Sequence, residues 1–234
     1  GVAGCGGRGA CRLWGVVPLL ALFLWRPQGR RQATTPMTGS GAAHNRGSWR
    51  SALAWQVTLF LGINSLVYYV IVGWLPAILQ SMGYSEAQAG SLHGLLQLAT
   101  AAPGLAIPLV LHRLKDQRGI AVLVALMCVV STLGLWLLPG QAVIWTLIFG
   151  FGSGATMILG LTFIGLRASS AHQAAALSGM AQTIGYLLAA CGPPLIGKIH
   201  DAYGDWHIPL IIVALIAVVM ALFGALAGRA REIH

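Results

Sequence analysis

Amide and phenol side chains recur at helical spacing inside long apolar runs, where a polar group is costly unless it faces a neighbouring helix or water. Asn64 and Tyr68 stand four residues apart, with Ser65 and Tyr69 beside them. His93 and Gln97 repeat that spacing, with Thr100 three residues on, and Ser178, Gln182 and Tyr186 follow one another at four-residue steps. Residues so spaced share one face of a helix. An amide both donates and accepts hydrogen bonds, and tyrosine joins a flat apolar face to a polar tip, which suits binding a small solute. Asn64, Tyr68, Tyr69, Gln97, Gln182 and Tyr186 are the candidate lining of one substrate cavity, with Asn64 and Tyr68 the leading pair. The same residues serve equally as hydrogen bonds between helices, or, for tyrosine, as interfacial anchors. His93 is a candidate proton-responsive gate, placed near the end of its segment. Ser178, Thr156 and Thr162 read as structural.

The elements that must hold these residues are membrane helices. Of 234 residues, 57% are hydrophobic and 8% charged, where a soluble domain carries about 25% charged residues. No charge lies between Arg50 and Glu86, between Arg118 and Arg167, or between Arg167 and Lys198. Stretches of that length can cross a bilayer, which takes roughly 20 apolar residues per helix. Turn residues delimit six segments, 52–79, 87–111, 119–138, 143–166, 174–196 and 208–226, each expected to cross once. The net charge of +9 sits in short connectors rather than on one face of a domain, so no nucleic-acid partner is expected. Cys5, Cys11, Cys128 and Cys191 lack metal-ligand or redox spacing, and no metal or cofactor is called for.

The polar faces are uneven. Segments one, two, four and five carry them, whereas segment six has no polar side chain and segment three offers only Cys128, Ser131 and Thr132, which can bond their own helix backbone. The order polar, polar, apolar, repeated, predicts two three-helix units related as inverted repeats, with the apolar helices toward lipid. Gly150 and Gly154 have the spacing that lets helix backbones approach closely. Pro76, Pro103, Pro108 and the Pro193-Pro194 pair are expected to interrupt helices and supply bending points.

Lys and Arg in short loops stay on the cytoplasmic side. Arg26, Arg30, Arg31, Arg46, Arg50, then Arg113, Lys115, Arg118, then Arg167, and finally Arg229 and Arg231 fall on one side, against Lys198 on the other. Residues 28–51, a Gly/Ser/Thr/Arg-rich stretch, read as a flexible cytoplasmic linker, residues 52–228 as the six-helix unit, and 229–234 as a short cytoplasmic tail. Residues 1–27 hold a short apolar run between Arg12 and Arg26, read as a divergent or truncated helix of a missing N-terminal half.

Two segments carry a specific likeness. Gly62-Ile63-Asn64-Ser65-Leu66-Val67-Tyr68-Tyr69, continuing to Trp74-Leu75-Pro76, resembles the seventh helix of the cyanate permease and nitroimidazole exporter branch of the major facilitator superfamily. Ala176-Leu177-Ser178-Gly179-Met180-Ala181-Gln182-Thr183-Ile184-Gly185-Tyr186 is similar to that branch's eleventh helix, and Gly192-Pro193-Pro194-Leu195-Ile196-Gly197 to the pattern that closes it. The resemblance covers residues 55–226. It implies an all-α membrane protein, the six-helix C-terminal bundle of a twelve-helix alternating-access carrier of the bacterial inner membrane. Its partners would be a small-molecule substrate, membrane lipid and the missing N-terminal six-helix half, without which the fragment should not transport. Asp116, in a connector that loosely follows the superfamily's signature between the eighth and ninth helices, is a candidate gating residue.

Two other function classes compete. An intramembrane serine protease could use Ser153, but a nucleophilic serine needs a base within reach, and segments three to six contain no histidine within their apolar runs. The second is a channel or a purely structural membrane subunit; charged rings would favour a channel, and the spans contain no Asp, Glu, Lys or Arg.

Overall fold

The computed structural model describes residues 49–111 and 116–229, and these are almost entirely helical. Helix α1 spans Ala52–Ser81, α2 Glu86–Ala101, α3 Pro103–Leu111, α4 Arg118–Leu137, α5 Ala142–Arg167, α6 Ala171–Tyr203 and α7 His207–Ala227, with a short 3-10 turn at Pro139–Gln141. The expected partial helix within 1–27, most of the linker and the extreme tail lie outside the described residues.

Local chemistry sets the starts and stops. The Ser51 hydroxyl accepts the Ala54 N–H at the head of α1, Ser85 and Gln88 form a reciprocal capping box at α2, and the Ser170 hydroxyl accepts the Gln173 N–H at α6. Gly204, at φ 74°, closes α6 in the left-handed region that glycine enters without strain.

The second expected segment is not one helix. It breaks at Ala102 into α2 and α3, because Pro103 has no N–H to continue the ladder. Neither piece is long enough to span alone, and among the described residues five helices are long and apolar enough to cross a membrane, α1, α4, α5 with its preceding 3-10 turn, α6 and α7. The other prolines do not interrupt: Pro76 lies inside α1, and Pro193 and Pro194 lie inside α6. At the latter pair a neighbour braces the backbone, the Trp74 indole N–H donating to the Pro193 carbonyl at 2.9 Å. Such external support is what lets membrane helices tolerate proline.

Contacts along the helices fix their directions. Gly62 meets Gly185 and Trp74 meets Pro193, so α1 and α6 run parallel. Gly150 and Gly154 of α5 meet Leu96, Ala99 and Thr100 of α2 in the same sense. Asn64 meets Ser153 while Leu61 meets Gly160, so α1 and α5 are antiparallel. Gly134 beside Trp145, with Gly152 beside Val124, makes α4 and α5 antiparallel too. Since α1 and α4 therefore point the same way, α2 and α3 together return the chain once between them.

The packing repeats under exchange of halves. The most extensive contact of α1 is with α6, and α5 rests on α2 in the corresponding manner; α4 pairs with α7; α4 leans on α5 as α7 leans on α1. Because α1 and α5 are antiparallel, the two three-helix units are inverted repeats. Of the two apolar helices, α4 and α7 share one face and expose large side chains on the other, Leu123, Leu126 and Val130 on α4 and Leu215, Val219 and Leu222 on α7. Ser131 and Thr132 both bond the Cys128 carbonyl of their own helix. Cys128 is buried and Cys191 exposed.

Arg167 is not in a connector. It is the last residue of α5, is 4% exposed, and donates from Nε to the Ala227 carbonyl at 3.1 Å and from a terminal nitrogen to Gln117 Oε1 at 2.7 Å. Its guanidinium also lies over the Phe163 ring. One cation thus ties together the ends of α5 and α7 and the start of α4.

Candidate functional site

At the crossing of α1 and α5, two polar residues satisfy each other. Ser153 Oγ donates to Asn64 Oδ1 at 3.1 Å, and Asn64 Nδ2 donates to the Ser153 carbonyl at 3.3 Å. Both side chains are buried. The serine hydroxyl thus gives its proton to an amide oxygen, which is no base.

Beside this crossing opens a cavity of about 380 Å3. Asn64, Ser65, Tyr68 and Tyr69 of α1 form one wall, Gln182 and Tyr186 of α6 another, and Thr100 of α2 with Ser153 and Met157 of α5 the rest. Parallel packing of α1 on α6 explains the convergence, since it puts their two stripes at one depth. Tyr68 and Tyr69 meet edge to face, ring centroids 5.5 Å apart, which holds two aromatic faces at different angles toward the space. Among the described residues, no Asp, Glu, Lys, Arg or His stands in the lining.

Gln97 is an exposed residue of α2. It is absent from the lining, and its Oε1 accepts the Tyr68 hydroxyl at 2.7 Å. Gln182 bonds Ser178 of its own helix at 2.9 Å, while Thr156 and Thr162 each bond the carbonyl four residues back. His93 is half-buried on α2, away from the lining, with Nδ1 enclosed and unbonded. Asp116 is exposed at the head of α4, accepting the Arg118 N–H and pairing with its guanidinium at 3.4 Å. A Cβ at Gly150 would come within 2.7 Å of the Ala99 methyl, and one at Gly154 would strike the Thr100 backbone. Pro193 and Pro194 brace α6 against Trp74 rather than breaking it. Ser65, Thr100, Ser153 and Met157 are lining residues outside the candidate set. The first two flank its stripes, Ser153 among glycines reads as packing, and nothing in an apolar run singles out Met157.

Residues 6–190 match the family model described as Major Facilitator Superfamily. The chain belongs to the Major Facilitator Superfamily. This major facilitator chain is an integral, multi-pass membrane protein with the all-helical architecture of a partial facilitator bundle. It is similar to the 2-nitroimidazole transporter of Escherichia coli (strain K12), 72% identical over 99% of this chain and 59% of that protein. A transporter of Bacillus subtilis (strain 168) is 40% identical over 97% of the chain and 57% of its own length. The cyanate transport protein of E. coli is 27% identical over 90% of the chain and 55% of its own length. The chain thus spans somewhat over half the length of these curated relatives. The likeness also reaches well outside residues 55–226, since the family match begins at residue 6.

Proposed function

We propose that the chain is the C-terminal half of an alternating-access carrier that moves a small, flat, uncharged or weakly charged solute, with a 2-nitroimidazole as the leading substrate. The observation that carries this reading is the cavity at the α1 and α5 crossing, which presents amides, hydroxyls and three tyrosines and no formal charge. An anion such as cyanate would gain from a lysine, arginine or protonated histidine, and none of the described residues lining this wall is one. Aromatic faces suit a planar ring, and the relative named for 2-nitroimidazole shares 72% of its aligned residues.

In this reading Asn64, Tyr68, Tyr69, Gln182 and Tyr186 touch the solute, and Gln97 supports Tyr68. A further six helices close the cavity from the other side, and the two halves rock about it. The distribution of lysine and arginine supports a cytoplasmic linker and C-terminus, in a bacterial inner membrane. A reporter fused after His234 should be active only inside the cell; activity only outside reverses the topology.

The test of function uses the full-length carrier in membrane vesicles. Labelled 2-nitroimidazole should cross vesicles bearing the carrier faster than empty ones, and Asn64→Leu at equal membrane level should remove the excess. Equal rates with and without the carrier would overturn the substrate assignment.

A further inference from the structure

Resting on that substrate reading, we infer that the inner wall of the cavity recognises a proton on the solute: it binds a ring N–H, which donates to the oxygen of Tyr68, and Gln97 is the positioning residue that enforces this polarity. Each hydroxyl carries one proton and two acceptor sites. Six hydroxyls line the cavity; those of Tyr69 and Tyr186 are on its exposed side, and the other four, which make the inner wall, have given their proton to the protein. Ser65 donates to the Leu61 carbonyl at 3.1 Å, Thr100 to the Leu96 carbonyl at 2.8 Å, Ser153 to Asn64 Oδ1 at 3.1 Å, and Tyr68 to Gln97 Oε1 at 2.7 Å. What these four groups still offer the cavity is lone pairs.

Tyr68 is the one of the four whose polarity depends on a single flexible side chain. The hydroxyls of Ser65 and Thr100 close on carbonyls of their own helix, and Ser153 belongs to the buried pair with Asn64. The phenol instead reaches across to α2, where Gln97 takes its proton. A solute that approaches Tyr68 with a lone pair meets lone pairs, whereas one that approaches with N–H completes the chain from solute to Tyr68 to Gln97. A site built around such a bond discriminates against an analogue lacking the proton, because the half-buried Tyr68 oxygen then loses that partner. The azole therefore binds in its neutral, N–H form, and the deprotonated azolate is rejected.

The test measures binding to the purified full-length carrier of three probes: 2-nitroimidazole, its 1-methyl derivative, which has no N–H, and its 4-methyl isomer, which adds the same volume and keeps the N–H. The 1-methyl compound should bind about tenfold more weakly than the parent, the loss of one hydrogen bond at a half-buried phenol, and the 4-methyl isomer within about threefold of it. Gln97→Leu frees the Tyr68 proton to face the cavity, so the gap between parent and 1-methyl compound should shrink to about threefold or less, and Tyr68→Phe should shrink it likewise. A merely structural Gln97 would lower affinity for all three probes by one factor and leave the gap intact, which would overturn its assigned role. Equal binding of parent and 1-methyl compound to the unmodified carrier would overturn the inference while leaving the substrate reading in place. Binding of none of the three would remove both.

Discussion

Asn64 and Ser153, 89 residues apart in the chain, hold each other by two hydrogen bonds at the centre of the bundle, one through side chains alone and one to backbone. They join the first helix of one inverted repeat to the first helix of the other. Hydrogen bonds between membrane helices average about 0.6 kcal/mol and reach about 1.7 kcal/mol. Ser153→Ala and Asn64→Ala should each lower the thermal stability of the detergent-purified carrier, and the double-mutant cycle should give a coupling in that range. Additive losses would mean that the pair does not interact in the full-length protein.

Backbone approach between α2 and α5 makes a second prediction. A methyl at Gly154 would run into the Thr100 backbone, which cannot swing aside as a side chain end can. Gly154→Ala should cost about 1–3 kcal/mol, the usual range for overpacking, seen as lower yield of folded carrier and a lower Tm. Gly165→Ala on the same helix meets nothing within 4 Å and should be neutral. Equal behaviour of the two variants would place the helices further apart than described.

Cysteine scanning tests the cavity. In a carrier with Cys191→Ser, cysteines placed at Tyr68, Gln182 and Tyr186 should react with a membrane-impermeant thiol reagent and be protected by 2-nitroimidazole. One at Leu222, exposed on the outer face of α7, should stay unreactive because lipid covers it. Uniform silence at the first three positions would reduce them to links between helices.

Arg167 is a buried cation whose hydrogen-bond partners are a carbonyl and an amide oxygen. Bonds to a charged group are worth about 1.5–3 kcal/mol each, and the abandoned acceptors cost more. Arg167→Ala should therefore destabilise the carrier by several degrees in Tm. Arg167→Lys should fail to restore it, because an ammonium cannot span both acceptors as the planar fork does. Full rescue by lysine would show that charge alone matters there.

Much of this molecule is legible along the chain. Uncharged stretches mark the membrane helices, since a bilayer tolerates few charges. The stripes of Asn64 with Tyr68 and of Gln182 with Tyr186 point to the cavity because a polar face must meet something polar. What is hidden is whatever depends on a distant neighbour. Pro103 ends a helix and Pro193 does not, yet both stand beside glycine; beside the second, Trp74 of another helix donates to the Pro193 carbonyl. Gln97 shares spacing with the lining residues but stands outside the lining, its side chain engaged by the Tyr68 phenol. Arg167 counts as a loop charge by its place in the sequence, and only the arrival of Ala227 and Gln117 makes it an interior group.

That arrangement also orders events during synthesis. The carbonyl that Arg167 holds belongs to Ala227, 60 residues downstream, so when α5 leaves the ribosome only Gln117 of its two hydrogen-bond partners has been made. Until α7 is complete the cation belongs in water, where it anchors α5 against sliding through the bilayer. When the last turn of α7 arrives, the same side chain folds inward and becomes a rivet. One arginine thus serves first as a marker of which side is which and later as the catch that closes the bundle.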